Sequence, residues 1–224
     1  MTRRHFLMTA GVAALGLGGT YLYTSQSTEM TDFLVTPANA EDAAEIDTSM
    51  IKDLVMGDEN APIELIEYAS YTCPHCAHFH SNVFKKLKEN YIDTGKVKFV
   101  YREVYFDKYG LWAAMVARCG GDLRYFGIQG MLYDQQKDWI AGGKDAMEIV
   151  ENLRTIGKKA GLSDADLDTC MNDGEMAQAM VAKFEKEVAE YDVSGTPTLV
   201  INGEKNSNMS YEDLSEKLEA ILNG

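Results

Sequence analysis

The stretch from Ile63 to Asp107 constrains the fold more than any other part of the chain. "IELIEYAS", 63–70, alternates loosely and is rich in β-formers, which predicts a strand. "YTCPHC" follows at once. Beyond it Phe79, Val83 with Phe84, Leu87 and Tyr91 recur at helical spacing, so a helix is expected over about 74–91. Pro74 suits its first turn, where the missing N–H would be unpaired anyway, and Lys85, Lys86 and Lys88 suit the negative end of its dipole. "GKVKFVYREVYFD", 95–107, is a second strand behind a glycine turn. A strand, a helix and a strand form a βαβ unit, and its two strands are expected to be parallel.

The alternation then stops. Residues 108–178 carry helical patterns without a convincing strand: "YGLWAAMVARCG", "RYFGIQGMLYDQQKDWI", "DAMEIVENLRTIGKKAG" and "SDADLDTCMNDG". Ser163 with Asp166 approximates a capping box for the fourth. Residues 176–191 form a long helix, Thr198 to Asn202 a strand, and Asn202-Gly203 a hairpin turn into a short edge strand. "SYEDLSEKLEAILNG" closes the chain as a helix with Ser210 as N-cap and Leu214, Leu218, Ile221 and Leu222 on one face. The expected architecture is an α/β fold with an inserted all-helical subdomain, in parts 41–107, 108–178 and 179–224. Residues 41–60 read as an acidic lead-in with a short amphipathic helix or turn.

The first forty residues are kept out of that fold. "MTRRHF" places positive charge before the apolar, small-residue run "FLMTAGVAALGLGGTYLY", the layout of an export signal, and its Arg3-Arg4 pair resembles the twin-arginine motif. "ANA" at 38–40 has the form of a signal peptidase site, but about fifteen mostly polar residues separate it from the run. The segment 1–40 is therefore either a cleaved signal or an uncleaved N-terminal membrane anchor, with Gly16, Gly18 and Gly19 weighing against a comfortable span. Either reading exports the globular part. The formal charge of −14 argues against a nucleic-acid partner, and loss of residues 1–40 would not change it, because Arg3 and Arg4 offset Glu29 and Asp32.

Four cysteines fit an oxidising compartment. Cys73 and Cys76 are too close together to be a useful structural staple, which leaves Cys119 with Cys170, a pairing worth roughly 4 kcal/mol by chain entropy. The alternative is two separate buried thiols.

A C-x-x-C between a strand and a helix of a βαβ unit is the context of a thioredoxin-like redox site. Cys73 falls at the helix N-terminus, where unpaired N–H groups and the dipole stabilise a thiolate; Cys76 lies one turn inward. Pro74 stiffens the turn, and a protonated His75 would add positive charge. A stable thiolate leaves readily, so the pair should favour passing its disulfide on. Zinc is the competing reading, since Cys73, Cys76, His78 and His80 are four legal ligands. On a helix, however, His78 and His80 point about 200° apart, and they read as a solvated pair. Glu67, six positions before Cys73, faces inward or outward according to the strand's phase; buried, it would titrate high and relay a proton for Cys76. "SGTPT" puts Pro197 before an apolar strand, where it favours a rigid turn that leaves the Thr196 backbone ready to pair with an extended peptide.

"EYASYTCPHCAHF", the helical insertion and the late "GTPTLVINGE" together closely resemble the DsbA family of periplasmic thiol oxidases, over about residues 50–222. The resemblance implies a thioredoxin-like fold with an inserted all-helical subdomain, with Cys73 as exposed nucleophile, Cys76 as resolving partner, Pro74 and His75 as the dipeptide tuning potential, Glu67 as buried acid and Pro197 as a cis-proline opposite the dithiol. Unfolded exported proteins with free cysteines would be the substrates, and a DsbB-like, quinone-linked membrane oxidase the partner that restores the disulfide. No soluble cofactor is implied, because the cysteines carry the electrons. Thr196 looks more like the isomerases, since the best-studied oxidases carry Val there, and an extra Cys119–Cys170 disulfide is similar to that of some branches. The rival readings are an isomerase or reductase on the same fold and a non-enzymatic peptide-binding or chaperone module. Against an isomerase of the DsbC type, too few residues precede the first strand for a dimerisation domain.

Overall fold

The computed structural model describes residues 46–143 and 145–224. The expected export segment, with Arg3, Arg4 and the 38–40 site, lies outside the described residues.

The apolar strand β2 (Ile63–Ala69) is the centre of a five-stranded sheet in the order β1-β3-β2-β4-β5. β3 (Val97–Glu103) runs parallel to it, with Ile63 opposite Val97 and Ala69 opposite Glu103, as the βαβ pattern requires. On its other side β4 (Thr198–Ile201) is antiparallel and pairs Tyr68 with Thr198. The hairpin to β5 (Glu204–Ser207) turns at Asn202 and Gly203, both with positive φ (47° and 83°), the conformation that Asn-Gly tolerates best. One expectation fails at the opposite edge. Leu54–Met56, read from sequence as part of a helical or turn segment, is strand β1, antiparallel to β3 with Val55 opposite Val100. Three residues are too few to show a period, and pairing with a formed neighbour decides their conformation.

The helical run behind β2 is not uniform. α1 (Pro74–Phe79) widens into a π segment (His80–Phe84), tightens as α2 (Lys85–Leu87) and widens again (Lys88–Ile92). The wide turns let the neighbours Val83 and Phe84, and again Tyr91 and Ile92, all bury against the sheet. Between β3 and β4 the described residues form helices and no strand: α3 (Lys108–Cys119), α4 (Gly121–Asp134), α5 (Gln136–Ala141), α6 (Ala146–Lys159), α7 (Asp164–Met171) and α8 (Gly174–Glu190). The expected capping box is formed, Ser163 Oγ accepting from Asp166 N and Asp166 Oδ2 from Ser163 N. A disulfide joins Cys119 at the end of α3 to Cys170 in α7, with Cα atoms 5.8 Å apart. α9 (Tyr211–Asn223) starts on the Ser210 cap and buries Leu214 and Leu218.

The sheet divides the core. Ile63, Leu65 and Ala69 face the larger cluster, with Cys76, Phe79 and Leu87 and much of the helical insertion. Ile66, Tyr68, Val100 and Val200 face the smaller one, covered by Phe184 and Val188 of α8. Side chains alternate along a strand, so Glu67 shares the face of Leu65 and Ala69, the face on which the C-x-x-C helix packs.

Candidate active site

β2 ends at Ala69, and the chain turns into α1 through Ser70, Tyr71 and Thr72. Cys73 is the N-cap of α1, extended at φ −80°, ψ 119°, and its carbonyl accepts the first helical hydrogen bond, from Ala77 N at 3.2 Å. Pro74 occupies the first helical position. The N–H groups left unpaired by the helix start point toward the Cys73 sulfur. Its thiol lies far below the usual range, at about 5; the hydrogen bond from Cys76 is the largest cause, with contributions from Thr196 and the N–H groups of Cys76 and His75, while burial opposes them. Cys76 is shifted the opposite way. Its burial is the main cause, and the neighbouring Cys73 and Glu67 push it further up. Both cysteines are buried free thiols: Cys73, expected as an exposed nucleophile, is 9% exposed against 0% for Cys76, because the cis-proline loop covers it, and the two environments drive their acidities apart.

Glu67 lies beneath the pair at 3% exposure, inward of the two phases the sequence allowed. Burial and, secondarily, the Cys73 charge raise its carboxyl from 4.5 to about 8. It is therefore an uncharged acid at neutral pH, able to protonate a thiolate formed at Cys76. A carboxyl raised in the fold binds more protons than its unfolded counterpart, so stability falls as pH rises from about 4.5 through 8. Glu67→Gln should thus be more stable than the parent above pH 8. It should also release Cys76 more slowly, by on the order of a hundredfold, below pH 8 where the parent carboxyl holds its proton. The two rates should converge above that pH. A constant ratio across the profile, measured by stopped-flow exchange, would contradict the role.

Across from Cys73, the Thr196–Pro197 peptide bond is cis, and the Cys73 thiol donates to the Thr196 carbonyl at 3.5 Å. Pro197 is buried. The Thr196 hydroxyl is also buried, beside both sulfurs, where it favours their charged forms.

The histidines separate. His75 and His78 are exposed. His80, expected as half of a solvated pair, is buried at 6% exposure and stacks on Phe84 and Tyr133, with ring centroids 5.2 Å apart in each case. Burial holds it neutral, pulled down to about 4 against the opposing charge of Asp134. Its place one turn after Cys76, in line with Val83 and Phe84, was a readable signal for the core.

The polar groups around the site carry no motif. Thr72 Oγ1 donates to Asp107 Oδ2 at 2.8 Å, while Asp107 Oδ1 caps α3. Gln136 reaches in from α5 to the carbonyls of Tyr71 and Cys73. Behind Tyr71 runs a buried chain: the Tyr71 and Tyr125 hydroxyls are 2.7 Å apart, and Tyr125 donates to Glu103 Oε1 at 2.7 Å. Arg118 Nε and Nη2 and the Tyr105 hydroxyl all donate to Glu103 Oε2 at 2.8 Å.

The sequence profile of the thioredoxin family matches residues 49–220. The crystal structure of alpha-DsbA1 from Wolbachia pipientis superposes with a TM-score of 0.71 at 28% identity, over 77% of this chain and 92% of that one. This chain is a DsbA-like member of the thioredoxin superfamily. Among curated relatives, a candidate protein-disulfide oxidoreductase of Rickettsia typhi is 33% identical over 171 residues, which is 76% of this chain and 62% of that protein. The chain thus spans less than two thirds of the length of that relative. Disulfide bond formation protein D of Bacillus subtilis is 25% identical over 183 residues, covering 76% of this chain and 77% of that protein. In this DsbA-like chain the C-x-x-C cysteines stand at the end of the central strand, as the superfamily fold places them, and helices α3–α8 form the insertion between β3 and β4.

Proposed function

We propose that this chain is an exported thiol–disulfide oxidase that donates the Cys73–Cys76 disulfide to folding proteins. The observation that carries the reading is the opposed tuning of the two thiols, Cys73 down to about 5 and Cys76 upward, over a buried acid. A substrate thiolate attacks Cys73 Sγ; the Cys73–Cys76 bond breaks, a mixed disulfide forms, and Cys76 leaves with its electron pair. Glu67 supplies the proton that Cys76 needs. A second substrate thiolate then attacks the substrate sulfur, and Cys73 departs as a stable thiolate. The substrate loses two electrons and the cysteine pair gains them.

Pro197 and the Thr196 carbonyl face Cys73 from the far side, where an extended substrate strand would pair. Pro74 and His75 are exposed beside the sulfur and would meet the same substrate. The structural Cys119–Cys170 bond holds the insertion and takes no part in exchange. DsbA-like membership supports unfolded exported proteins as substrates, a DsbB-like quinone-linked oxidase as the partner that reoxidises the pair, and the periplasm as the site of action, either free or held by the 1–40 segment.

Mixing the oxidised chain with a reduced, unfolded model protein tests the reading: the substrate should gain disulfides stoichiometrically. A chain that only reshuffles scrambled disulfides would instead be an isomerase, the alternative that Thr196 before the cis-proline favours. A chain that binds the substrate without altering its thiol count would be a peptide-binding module.

A further inference from the structure

We infer that Gln136 is a positioning residue for Cys73, through which the helical insertion holds the nucleophile in place; this rests on the dithiol chemistry proposed above. The sequence pattern "RYFGIQGMLYDQQKDWI" reads as one helix, but the chain breaks it at Gln135, with φ −107° and ψ 15°, into α4 and α5. Several side chains secure the break. Trp139, 1% exposed, donates from Nε1 back to Leu132 O at 2.9 Å, Lys159 Nζ donates to Gln135 Oε1 at 3.2 Å, and Asn152 Nδ2 donates to Trp139 O at 3.4 Å.

The first residue after the break is Gln136. It is buried, with 6% exposure, and its Nε2 donates to Tyr71 O at 2.8 Å and to Cys73 O at 2.9 Å. Those carbonyls flank Thr72 on the loop that delivers the nucleophile. A primary amide carries two hydrogens on one nitrogen, and both are used. Ionised glutamate could donate neither, asparagine is one methylene shorter, and methionine has the length without the donors.

The Cys73 carbonyl also accepts the first hydrogen bond of α1, from Ala77 N. Gln136 thus clamps the peptide group whose orientation sets where the Cys73 sulfur sits relative to the N–H groups of His75 and Cys76. The amide hydrogens also offset the negative carbonyl oxygen beside the sulfur. Both effects favour the thiolate without any contact between Gln136 and the sulfur.

Gln136→Met in the full chain tests this. The Cys73 midpoint should rise by about half a unit to one unit, so that alkylation of Cys73 by iodoacetamide below that midpoint slows roughly three- to tenfold, while the rates converge at alkaline pH. A lowered unfolding midpoint with an unmoved alkylation profile would make Gln136 a packing residue and overturn the inference. Should the variant fail to fold, the unmodified protein still decides. The Gln136 side-chain amide resonances should titrate with the Cys73 midpoint in the reduced protein and stay flat in the oxidised one; resonances flat in both forms would overturn it. Neither readout needs turnover, so failure of the oxidase reading would appear separately, in the refolding assay.

Discussion

Cys73→Ala is expected to abolish disulfide donation in the refolding assay, a loss of about a thousandfold or more, because no other described thiol has its thiolate stabilised in this way. Cys76→Ala should fail differently. It leaves a nucleophile that forms mixed disulfides and cannot be released from within, so substrate should accumulate covalently on Cys73. It also removes the largest cause of the high Cys73 acidity, so the alkylation midpoint should climb from about 5. Substrate oxidation by either variant at the parental rate would contradict the assignment. The pH dependence has a definite sign. A thiol depressed in the fold stabilises the reduced protein above its unfolded value, about 8.5, and that contribution is lost as pH falls through 5. The disulfide form has no such group. The reduced form should therefore gain stability relative to the oxidised one as pH rises from 5 toward 8.5.

The second large effect is on stability and lies behind the site. Glu103 is 5% exposed and accepts from Arg118, Tyr105 and Tyr125. Arg118→Met would leave its carboxylate buried without a cation, at a cost of about 3–5 kcal/mol. The urea midpoint of the chain should fall accordingly with an unchanged slope. Glu103→Gln combined with Arg118→Met should recover part of that loss, since the buried charge is gone. A loss below about 1 kcal/mol for the single variant would mean that water reaches the carboxylate. The hydroxyl chain Glu103–Tyr125–Tyr71 ends two residues before Cys73, so the variant should also loosen the active-site loop.

What the sequence discloses here is the chemistry written in local spacing. Cys73-Pro74-His75-Cys76 after a β-rich run, Pro197 before another, Ser163 with Asp166 and Asn202-Gly203 each fix a backbone conformation within a few residues, and each is legible for that reason. Glu67 is half legible: its distance from Cys73 is plain, but the direction of its side chain depends on strand phase, which the neighbours Ile66 and Tyr68 reveal only once the second core face is known. Gln136, Glu103 and Arg118 are invisible. A glutamine in a helical pattern and a Glu–Arg pair fifteen residues apart carry no spacing signal, since tertiary packing alone brings them together. β1 is hidden likewise, because three residues borrow their conformation from β3. His80 is the readable feature passed over, its apolar register masked by the cluster of possible ligands around it.

One measurement bears on the central claim most directly: equilibrium of Cys73 and Cys76 with glutathione, paired with the pH titration of the Cys73 thiolate. The account predicts a Cys73 midpoint near 5 and a potential well above that of thioredoxin, about −270 mV, because a stabilised thiolate favours the reduced pair. A potential near −270 mV together with an ordinary thiol near 8.5 would contradict it.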